Sequence, residues 1–363
     1  MRTPRVHHRL NRRGGRMRAV RVAVVSAAVL FASCGGEAEK PSAVLGGPAA
    51  PRYRIQELPP VEGVTGLWPR GINSHGDVVG SYTPPGVTGG PAFRAFLYNA
   101  ASGDVRRIGT DTVVAFAVND HVQVALTTDA ARTAGSRWEA GLERDIGVLD
   151  PRSNYACAVA INSSGWLAGW SASSSGRVHA VLWDGSTLRD LTPDETATTG
   201  ALWLNSSGLA VGFLFSADGV SHAVLFGPSG VKDLGSLGGE GRAMSVNDAG
   251  RIVGYSAATG SGEHGFVYDL PSGPMRDVSP NRRSILRAVN SGGDAVGAFL
   301  GPLTDGPDDR AMLWRAGTLV DLTEDLGDPE WVLVEGDAIN DSGMIVGRGR
   351  HKGSPRGFIL TPH

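Results

Sequence analysis

Cysteine is nearly absent from this chain of 363 residues, which contains only Cys34 and Cys157. At most one disulfide could form, and none remains if Cys34 has another role, so cross-links contribute little to the fold. Cys157 lies in the largely apolar segment Tyr155–Ala160, a setting that favours a small buried strand residue. A reactive thiol is the alternative interpretation.

The sequence motifs of several enzyme classes are absent as well. The chain has no His-Glu-x-x-His zinc motif, no Gly-x-x-x-x-Gly-Lys-Ser/Thr phosphate loop and no Gly-x-Ser-x-Gly nucleophile elbow. The glycine-rich segment Gly235–Gly241 lies between repeats rather than at the start of a helix, so we do not expect it to bind phosphate. Motifs therefore assign no reaction to this chain.

Acidic residues are missing from the first 33 positions, which contain eight arginines. The run Val22–Ala32 is apolar and eleven residues long, and Ser33-Cys34 follows it. A basic region, a short apolar run and small residues before a cleavage point are typical of a secretory signal. Eleven residues are too few for a helix to span a membrane. We predict that residues 1–33 are a signal peptide, with Met17 as an alternative start.

The residues before Cys34 resemble the lipobox of bacterial lipoproteins, with Phe31 where leucine is usual. The resemblance implies cleavage before Cys34 and lipid attachment to it, which would place the protein at the outer membrane or cell surface. Residues 34–51 are then a flexible tether, and 52–363 form one domain. Secretion without an anchor is the alternative.

The remaining charge is acidic. The chain has 34 basic and 36 acidic residues, so removal of the eight arginines leaves 26 basic residues and a net charge of about −10. This balance argues against a nucleic-acid partner and against electrostatic binding to anionic lipid. Contact with a membrane is therefore expected through the lipid anchor only.

A hairpin motif recurs throughout the chain. In Ala243–Gly254, a short strand leads into the turn Asn247-Asp-Ala-Gly250, and a second strand returns from it. Asparagine and glycine at these turn positions favour a tight hairpin. The turn asparagines are Asn73, Asn119, Asn162, Asn205, Asn247, Asn290 and Asn340, with spacings of 46, 43, 43, 42, 43 and 50 residues. The copy at Asn119 lacks both glycines of the motif.

A second module follows most hairpins, as in His179-Ala-Val-Leu-Trp183, and leads to a short strand such as Leu188–Leu191. Each unit thus has four short strands within about 43 residues, which indicates a propeller blade. The last unit ends after its third strand, and Tyr53–Leu58 supplies a strand before the first unit. We predict an all-β, seven-bladed β-propeller whose N-terminal strand completes the last blade; a linear solenoid is the alternative.

The two modules, together with Asp233-Leu-Gly-Ser-Leu-Gly-Gly239, resemble the HAF-type extracellular repeat family of bacteria over residues 53–360. The resemblance implies export and a repeat architecture, and it implies no reaction. Unit two departs from the pattern, because Ser136–Gly141 replaces the His-Ala module. This departure predicts an irregular second blade.

The expected binding surface is the face that carries the loops between second and third strands and the loops that link blades. Trp68 and Trp331 break the repeat and are predicted to lie in linking loops, where they could stack on a sugar or a partner side chain. Asp305, Asp308 and Asp309 form an acidic loop that could bind Ca²⁺, although a solvated acidic surface is the simpler interpretation. No other metal or cofactor is predicted.

The repeated histidines His179, His222 and His264 occupy equivalent positions in different units, and arginine fills that position elsewhere. Ligands of one metal ion must converge on it, whereas these residues are spread around a ring. We therefore interpret them as hydrogen-bond donors that hold neighbouring backbone. The aromatic residues that end the third strands, such as Trp183 and Trp314, are predicted to pack between blades.

Two functions fit the sequence. The first is a non-enzymatic binding or scaffold module of the cell envelope, with an envelope protein or glycan as partner. The second is an exported propeller enzyme that acts on a polysaccharide or lactone through acidic residues at the axis. The innermost strands contain mostly Ala, Gly, Leu and Val, which favours the first. A purely structural surface protein is a third reading.

Overall fold

The computed structural model describes residues 53–86, 93–110, 113–128, 133–194, 196–301 and 308–363. The predicted signal peptide, Met17, Cys34, the tether and Asp305 lie outside these residues. In the described part, the strands form seven antiparallel sheets of four strands each. The predicted seven-bladed β-propeller is therefore confirmed.

The blades follow the chain in order. Blade 1 contains β2 (Trp68–Ile72), β3 (Val78–Tyr82), β4 (Arg94–Tyr98) and β5 (Val105–Ile108). Blade 2 contains β6 (Val113–Val118), β7 (Val124–Thr128), β8 (Gly135–Glu139) and β9 (Leu142–Asp145). Blade 3 contains β10 (Ala156–Ile161), β11 (Leu167–Ala172), β12 (Val178–Trp183) and β13 (Leu188–Asp190). Blade 4 contains β14 (Thr198–Leu204), β15 (Ala210–Phe215), β16 (Ser221–Gly227) and β17 (Gly230–Asp233).

The remaining three blades have the same order. Blade 5 contains β18 (Gly238–Val246), β19 (Arg251–Ala258), β20 (Gly262–Asp269) and β21 (Arg276–Asp277). Blade 6 contains β22 (Ser284–Val289), β23 (Ala295–Phe299), β24 (Arg310–Arg315) and β25 (Thr318–Asp321). Blade 7 contains β26 (Trp331–Ile339), β27 (Ile345–His351), β28 (Ser354–Pro362) and β1 (Tyr53–Glu57).

Strand β1 closes the ring as predicted, because it pairs with β28 from Tyr53 opposite Pro362 to Glu57 opposite Phe358. The carboxylate of Glu57 pairs with two side chains of blade 7. His351 Nδ1 lies 3.0 Å from Glu57 Oε2, and Arg356 Nε lies 2.6 Å from Glu57 Oε1. The first and last segments of the domain are thereby joined in one sheet.

The first strand of each blade lies innermost, since these strands contact one another around the ring and each occupies one edge of its sheet. Each of them contains a β-bulge near its hairpin turn, as at Ala243/Ser245 in blade 5. The bulge moves a main-chain carbonyl towards the second strand. At Gly254, a Cβ would lie only 2.0 Å from the oxygen of Arg242, so this close approach requires glycine at position 254.

The turn asparagines form a ring of hydrogen bonds between blades. In the described chain, six of them donate from Nδ2 to the main-chain oxygen of the next asparagine at 2.8–3.2 Å: Asn73 to Asn119, Asn119 to Asn162, Asn162 to Asn205, Asn247 to Asn290, Asn290 to Asn340 and Asn340 to Asn73. The last bond joins residues 267 positions apart. Hydrogen bonds between turn asparagines therefore link neighbouring blades on this face of the propeller.

Blade 2 is regular, contrary to the sequence-based expectation. It has four strands and the same bulge, between Ala115 and Ala117. Asn119 keeps its turn, with Val122 N donating to Asn119 O at 3.0 Å. Of the two missing glycines, the one in the turn is replaced by Val122, whose φ of 56° is strained for a β-branched residue. The last one is replaced by Leu126, which pairs opposite Ala115 and is fully buried.

Apolar clusters lie between neighbouring blades. Trp183 of blade 3 packs with Ala117 and Ala125 of blade 2, and the guanidinium of Arg137 lies 5.2 Å from its ring centre. This confirms the predicted role of the third-strand aromatics. Cys157 is buried in strand β10, also as predicted.

One short helix, α1 (Leu322–Leu326), follows β25. Asp321 caps it by accepting from the backbone N–H of Thr323 and Glu324, and Gly327 ends it with a φ of 66°. The capping residues explain why this linker is helical, whereas the other elements of the described residues are strands. Across the part of the chain described here, no helix has the length and hydrophobicity required to cross a membrane.

Candidate functional site

Seven bulge residues form a layer around the central axis, each three positions before its turn asparagine. They are Arg70, Phe116, Val159, Leu202, Met244, Arg287 and Asp337, each inside the register shift of its innermost strand. A bulge re-aims the side chain of its extra residue. We call this layer the bulge ring.

Interactions between blades connect six of these seven side chains. The guanidinium of Arg70 lies 5.2 Å from the ring centre of Phe116. Phe116 and Leu202 pack on the same small cluster as Val159. On the other side, Asp337 interacts electrostatically with both Arg287 and Arg70. The bulge ring therefore has a charged arc in blades 6, 7 and 1 and an apolar arc in blades 2–5.

The charged arc is extended by Glu335 and Arg348 of blade 7. The side chain of Glu335 is only 7 % exposed, and Arg287 Nε lies 2.6 Å from its Oε1. Arg348 pairs with its other oxygen, Oε2. Because a buried carboxylate is costly unless it is paired, these two arginines compensate the charge of Glu335. We call Arg70, Arg287, Glu335, Asp337 and Arg348 the axial cluster.

Asp337 is the unusual titratable group of the axial cluster. Burial raises its pKa to about 7, while the positive charges of Arg287 and Arg70 act in the opposite direction. Arg348 Nε, 3.5 Å from Oδ2, also favours the ionised form. Asp337 Oδ2 nevertheless has no hydrogen-bond partner, and the same is true of Arg70 Nε.

The electrostatics of Arg70 mirror those of Asp337. Burial and the nearby Arg287 lower the pKa of the Arg70 guanidinium, whereas Asp337 raises it. An arginine remains protonated at neutral pH because its ordinary pKa is above 12. With three arginines and two carboxylates, one of them titrating near neutrality, the axial cluster carries a positive charge. It has the chemistry to bind an anion and to exchange a proton at Asp337.

The repeated histidines lie in three separate blades, and each contacts an aspartate of the fourth strand of its own blade. His179 Nδ1 lies 2.8 Å from Asp190 Oδ2; the equivalent distances are 2.9 Å for His222–Asp233 and 2.7 Å for His264–Asp277. The second oxygen of Asp190 accepts from the backbone N–H of Thr192 at 2.8 Å. The histidines thus hold the start of the linker through a carboxylate, rather than by a direct bond to backbone as predicted.

The two tryptophans predicted as ligand contacts lie at the start of innermost strands instead of in linking loops. Trp68 begins β2 and is partly exposed, with the ring of Phe93 5.4 Å from its own. Trp331 begins β26, is only 4 % exposed, and stacks on His351 at 4.7 Å. Of the two, Trp68 alone offers surface to a ligand in this conformation.

The acidic loop of blade 6 is only partly described, because Asp305 lies outside the described residues. Asp308 is exposed, and Asp309 Oδ1 accepts from the backbone N–H of Gly301 at 2.8 Å. Among the residues that the structure describes, no three metal-ligating side chains form a group. The Ca²⁺ hypothesis for Asp305, Asp308 and Asp309 stays a prediction.

The sequence alone does not point to the axial cluster, because the innermost strands are mostly small and apolar. The one signal is the fixed offset of three residues before each turn asparagine, which selects Arg70, Arg287 and Asp337. An isolated arginine or aspartate in a strand is otherwise uninformative. The bulge alone turns these residues towards one another.

No protein-family model matches this sequence, and neither does any curated protein. Solved structures do match. The β-propeller domain of the Trilobed protease from Pyrococcus furiosus is 8 % identical, covers 81 % of this chain and 95 % of its own, and superposes with a TM-score of 0.55.

Two propeller-containing hydrolases are similar over part of their length. A puromycin hydrolase is 13 % identical, with coverage of 78 % of this chain and 50 % of its own and a TM-score of 0.54. An acylaminoacyl peptidase from Pyrococcus horikoshii is 9 % identical, with coverage of 82 % and 52 % and a TM-score of 0.52. The present chain spans about half of each of these two proteins. At such identities the comparisons establish one property of this chain, its β-propeller fold.

Proposed function

We propose that this protein is a non-enzymatic binding module of the bacterial envelope, exported by residues 1–33 and anchored through a lipid on Cys34. The observation that carries the binding role is the axial cluster, a set of charged side chains gathered from three blades and paired only in part. Buried charges without full partners are costly to a fold. Their presence supports a site that a ligand completes.

The two faces of the propeller differ in a way that supports this role. One face has short turns joined by the asparagine ring, whereas the opposite face carries the linkers between blades and the loops between second and third strands. Trp68 and Asp308 both belong to this second face, which we propose as the side from which a partner or glycan reaches the axis. A rigid scaffold that displays variable loops is suited to binding.

Export and anchoring are tested by fractionation of cells that produce the full-length chain or its Cys34→Ser variant. The wild-type protein is expected in the membrane fraction and soluble only with detergent, because an acylated cysteine inserts hydrocarbon into the bilayer. The variant should be released in soluble form. A Cys157→Ser variant is the matched control and should fractionate like the wild type. Detergent-dependent solubility of Cys34→Ser would argue against the anchor.

Binding is tested by thermal unfolding of the same protein with a panel of envelope glycans, Ca²⁺ and small lactones. A ligand that binds only the native state raises the unfolding temperature by mass action. We expect a shift with an anionic glycan of the panel, and we expect this shift to disappear in Arg287→Gln. A shift with Ca²⁺ that is lost in Asp308→Asn would instead locate binding at the acidic loop.

A second function, hydrolysis of a polysaccharide or lactone, is favoured by one observation. Glu335 is paired with two arginines, and burial raises the pKa of the nearby Asp337 to about 7. A carboxyl group with a raised pKa beside a second carboxylate is typical of acid–base catalysis. Turnover of a panel lactone by the wild type, lost in Asp337→Asn, would establish an enzyme. Binding without turnover would support the non-enzymatic binding module.

A further inference from the structure

The bulge ring is amphipathic around the axis, and this arrangement defines the chemistry of its ligand more closely than the proposed function does. The charged arc consists of Arg287, Asp337 and Arg70 in consecutive blades. The apolar arc consists of Phe116, Val159, Leu202 and Met244 in the next four. Six of these seven side chains retain partial solvent exposure, Val159 being buried, so both arcs border solvent at the axis.

In the axial cluster, which contains the charged arc, the three arginines outnumber the two carboxylates by one. Arg287 and Arg348 share Glu335, and Asp337 is the carboxylate whose charge acts on Arg70. Asp337 cannot neutralise it fully, because burial favours the protonated form of Asp337, and Arg70 Nε has no hydrogen-bond partner. A guanidinium in this state is a donor for an external carboxylate or phosphate oxygen.

The apolar arc selects the body of the ligand. Phe116 links the arcs, because its ring lies under the Arg70 guanidinium and also packs near Val159. Trp170 adds a further aromatic surface to that cluster, with its Nε1 bound to Tyr155 at 3.1 Å. A ligand whose anionic group reaches Arg70 therefore places its neighbouring atoms against aromatic and aliphatic side chains, which favour an apolar body.

We propose that the axis of the propeller binds a monocarboxylate with an apolar body, its carboxylate on Arg70 and its hydrocarbon part against Phe116 and Leu202. This inference rests on the proposed binding function. A single negative charge suits the site better than a phosphate dianion, since Glu335 borders the same arc and would repel a second charge. A protonated Asp337 also offers a hydrogen bond to the carboxylate.

The proposal is tested by calorimetric titration of the full-length protein with hydrocinnamate, with its neutral amide and with inorganic phosphate. Hydrocinnamate is expected to bind. The amide lacks the negative charge and phosphate lacks the apolar body, so each is expected to bind at least about tenfold more weakly. Equal affinity for hydrocinnamate and phosphate, or for hydrocinnamate and the amide, would overturn the proposal.

The location is tested with two matched variants. Arg70→Gln removes a guanidinium of blade 1 that lies over Phe116 of blade 2, and Arg106→Gln removes another that lies 5.6 Å from the Trp138 ring centre, also between blades 1 and 2. We expect at least a tenfold loss of affinity in the first and no change in the second. Equal losses in both variants, or none in Arg70→Gln, would contradict an axial site.

Two further measurements keep the test decisive if Arg70→Gln does not fold. Leu202→Gln should weaken hydrocinnamate binding severalfold, because it places an amide in the apolar arc. Photolabelling of the wild type with p-azidohydrocinnamate should modify peptides from β6, β10 or β14; labelling confined to outer strands would refute the assignment. Failure of all these measurements would still leave the envelope module standing, since fractionation and the glycan panel test it separately.

Discussion

Asn247 shows how one side chain serves both its own turn and the next blade. Its Oδ1 accepts from the backbone N–H of Arg251 at 2.9 Å, and its Nδ2 donates to the carbonyl of Asn290 at 2.8 Å. An amide is the one short side chain that has an acceptor and a donor at this spacing. Serine or aspartate would satisfy the turn but could not donate in the same way to the neighbouring carbonyl.

Two variants of Asn247 separate these contributions. Asn247→Asp keeps the acceptor for the turn and places a carboxylate oxygen against a carbonyl, so we expect a loss of about 1–2 kcal/mol in the free energy of unfolding. Asn247→Ala loses both bonds and leaves the buried Asn290 carbonyl without this donor; a loss of about 2 kcal/mol or more is expected. Urea unfolding measures both values. Wild-type stability of the Asp variant would show that the bond between blades contributes nothing.

Gly254, at the end of its hairpin, is required for a different reason, the close approach of a main-chain oxygen. Gly254→Ala would place Cβ 2.0 Å from the oxygen of Arg242, and only a shift of the innermost strand could relieve the clash. We expect a destabilisation of about 3 kcal/mol or more. Gly66→Ala, where no atom lies within 4 Å of the new Cβ, is the control and should remain near wild-type stability in the same assay.

At the scale of the element, β1 is a short strand that contributes to stability through its pairing with β28. It completes blade 7 beside β28, and Tyr53 packs in the cluster that joins blades 6 and 7. Without it, β28 would become an exposed edge at the point where the ring closes. The closure therefore depends on a few residues that are far from their partners in sequence.

Deletion of Tyr53–Leu58 tests this dependence. We expect a lower unfolding temperature or aggregation, because the deletion exposes the edge of β28 and removes the buried Tyr53 and Leu58. Deletion of six residues from the predicted tether, positions 41–46, is the control for chain shortening. Identical melting curves for the two deletions would contradict closure by β1.

Blade 2 shows how far an element tolerates the loss of its motif. Val122 replaces the turn glycine at a φ of 56°, whereas the glycines of the other six turns have φ between 77° and 89°. The blade forms nevertheless, because the bond from Asn119 to the carbonyl of Asn162 and the packing of its strands are retained. Neighbouring blades thus supply the stability that the local turn sequence lacks.

At the scale of the whole molecule, the ring brings charges from blades 6, 7 and 1 to one axis. The pKa of Asp337 rises from its ordinary 3.8 to about 7 in the fold. Between these values the folded protein binds a proton that the unfolded chain does not. The contribution of Asp337 to stability therefore decreases as pH rises from about 4 to about 7.

Asp337→Asn should remove this slope. We expect the variant to gain stability relative to the wild type as pH rises, by about 4 kcal/mol at most above pH 7, because the amide has no charge to bury. Urea unfolding from pH 4 to pH 8 measures the difference. Asp308→Asn, at an exposed position, is the control and should follow the wild-type curve. Parallel curves for wild type and Asp337→Asn would argue against a raised pKa.

The sequence by itself determined the architecture. The spacing of the asparagines gives the number of blades, the two modules give four strands per blade, and the segment at Tyr53 gives the closure. These features are local and periodic, so each copy reports the same hairpin and the period survives the decay of one copy. Export, the anchor at Cys34 and the HAF-type resemblance remain predictions from the same reading.

Only the tertiary structure decided which side chains lie at the axis. Arg70 and Asp337 belong to the first and last innermost strands, and they become neighbours because the ring closes between blades 7 and 1. The bulge, which depends on the pairing of two strands, then aims both side chains inward. Neither the meeting of distant charges nor the burial that shifts the Asp337 pKa is a local property of sequence, and both arise from packing seven blades around one axis.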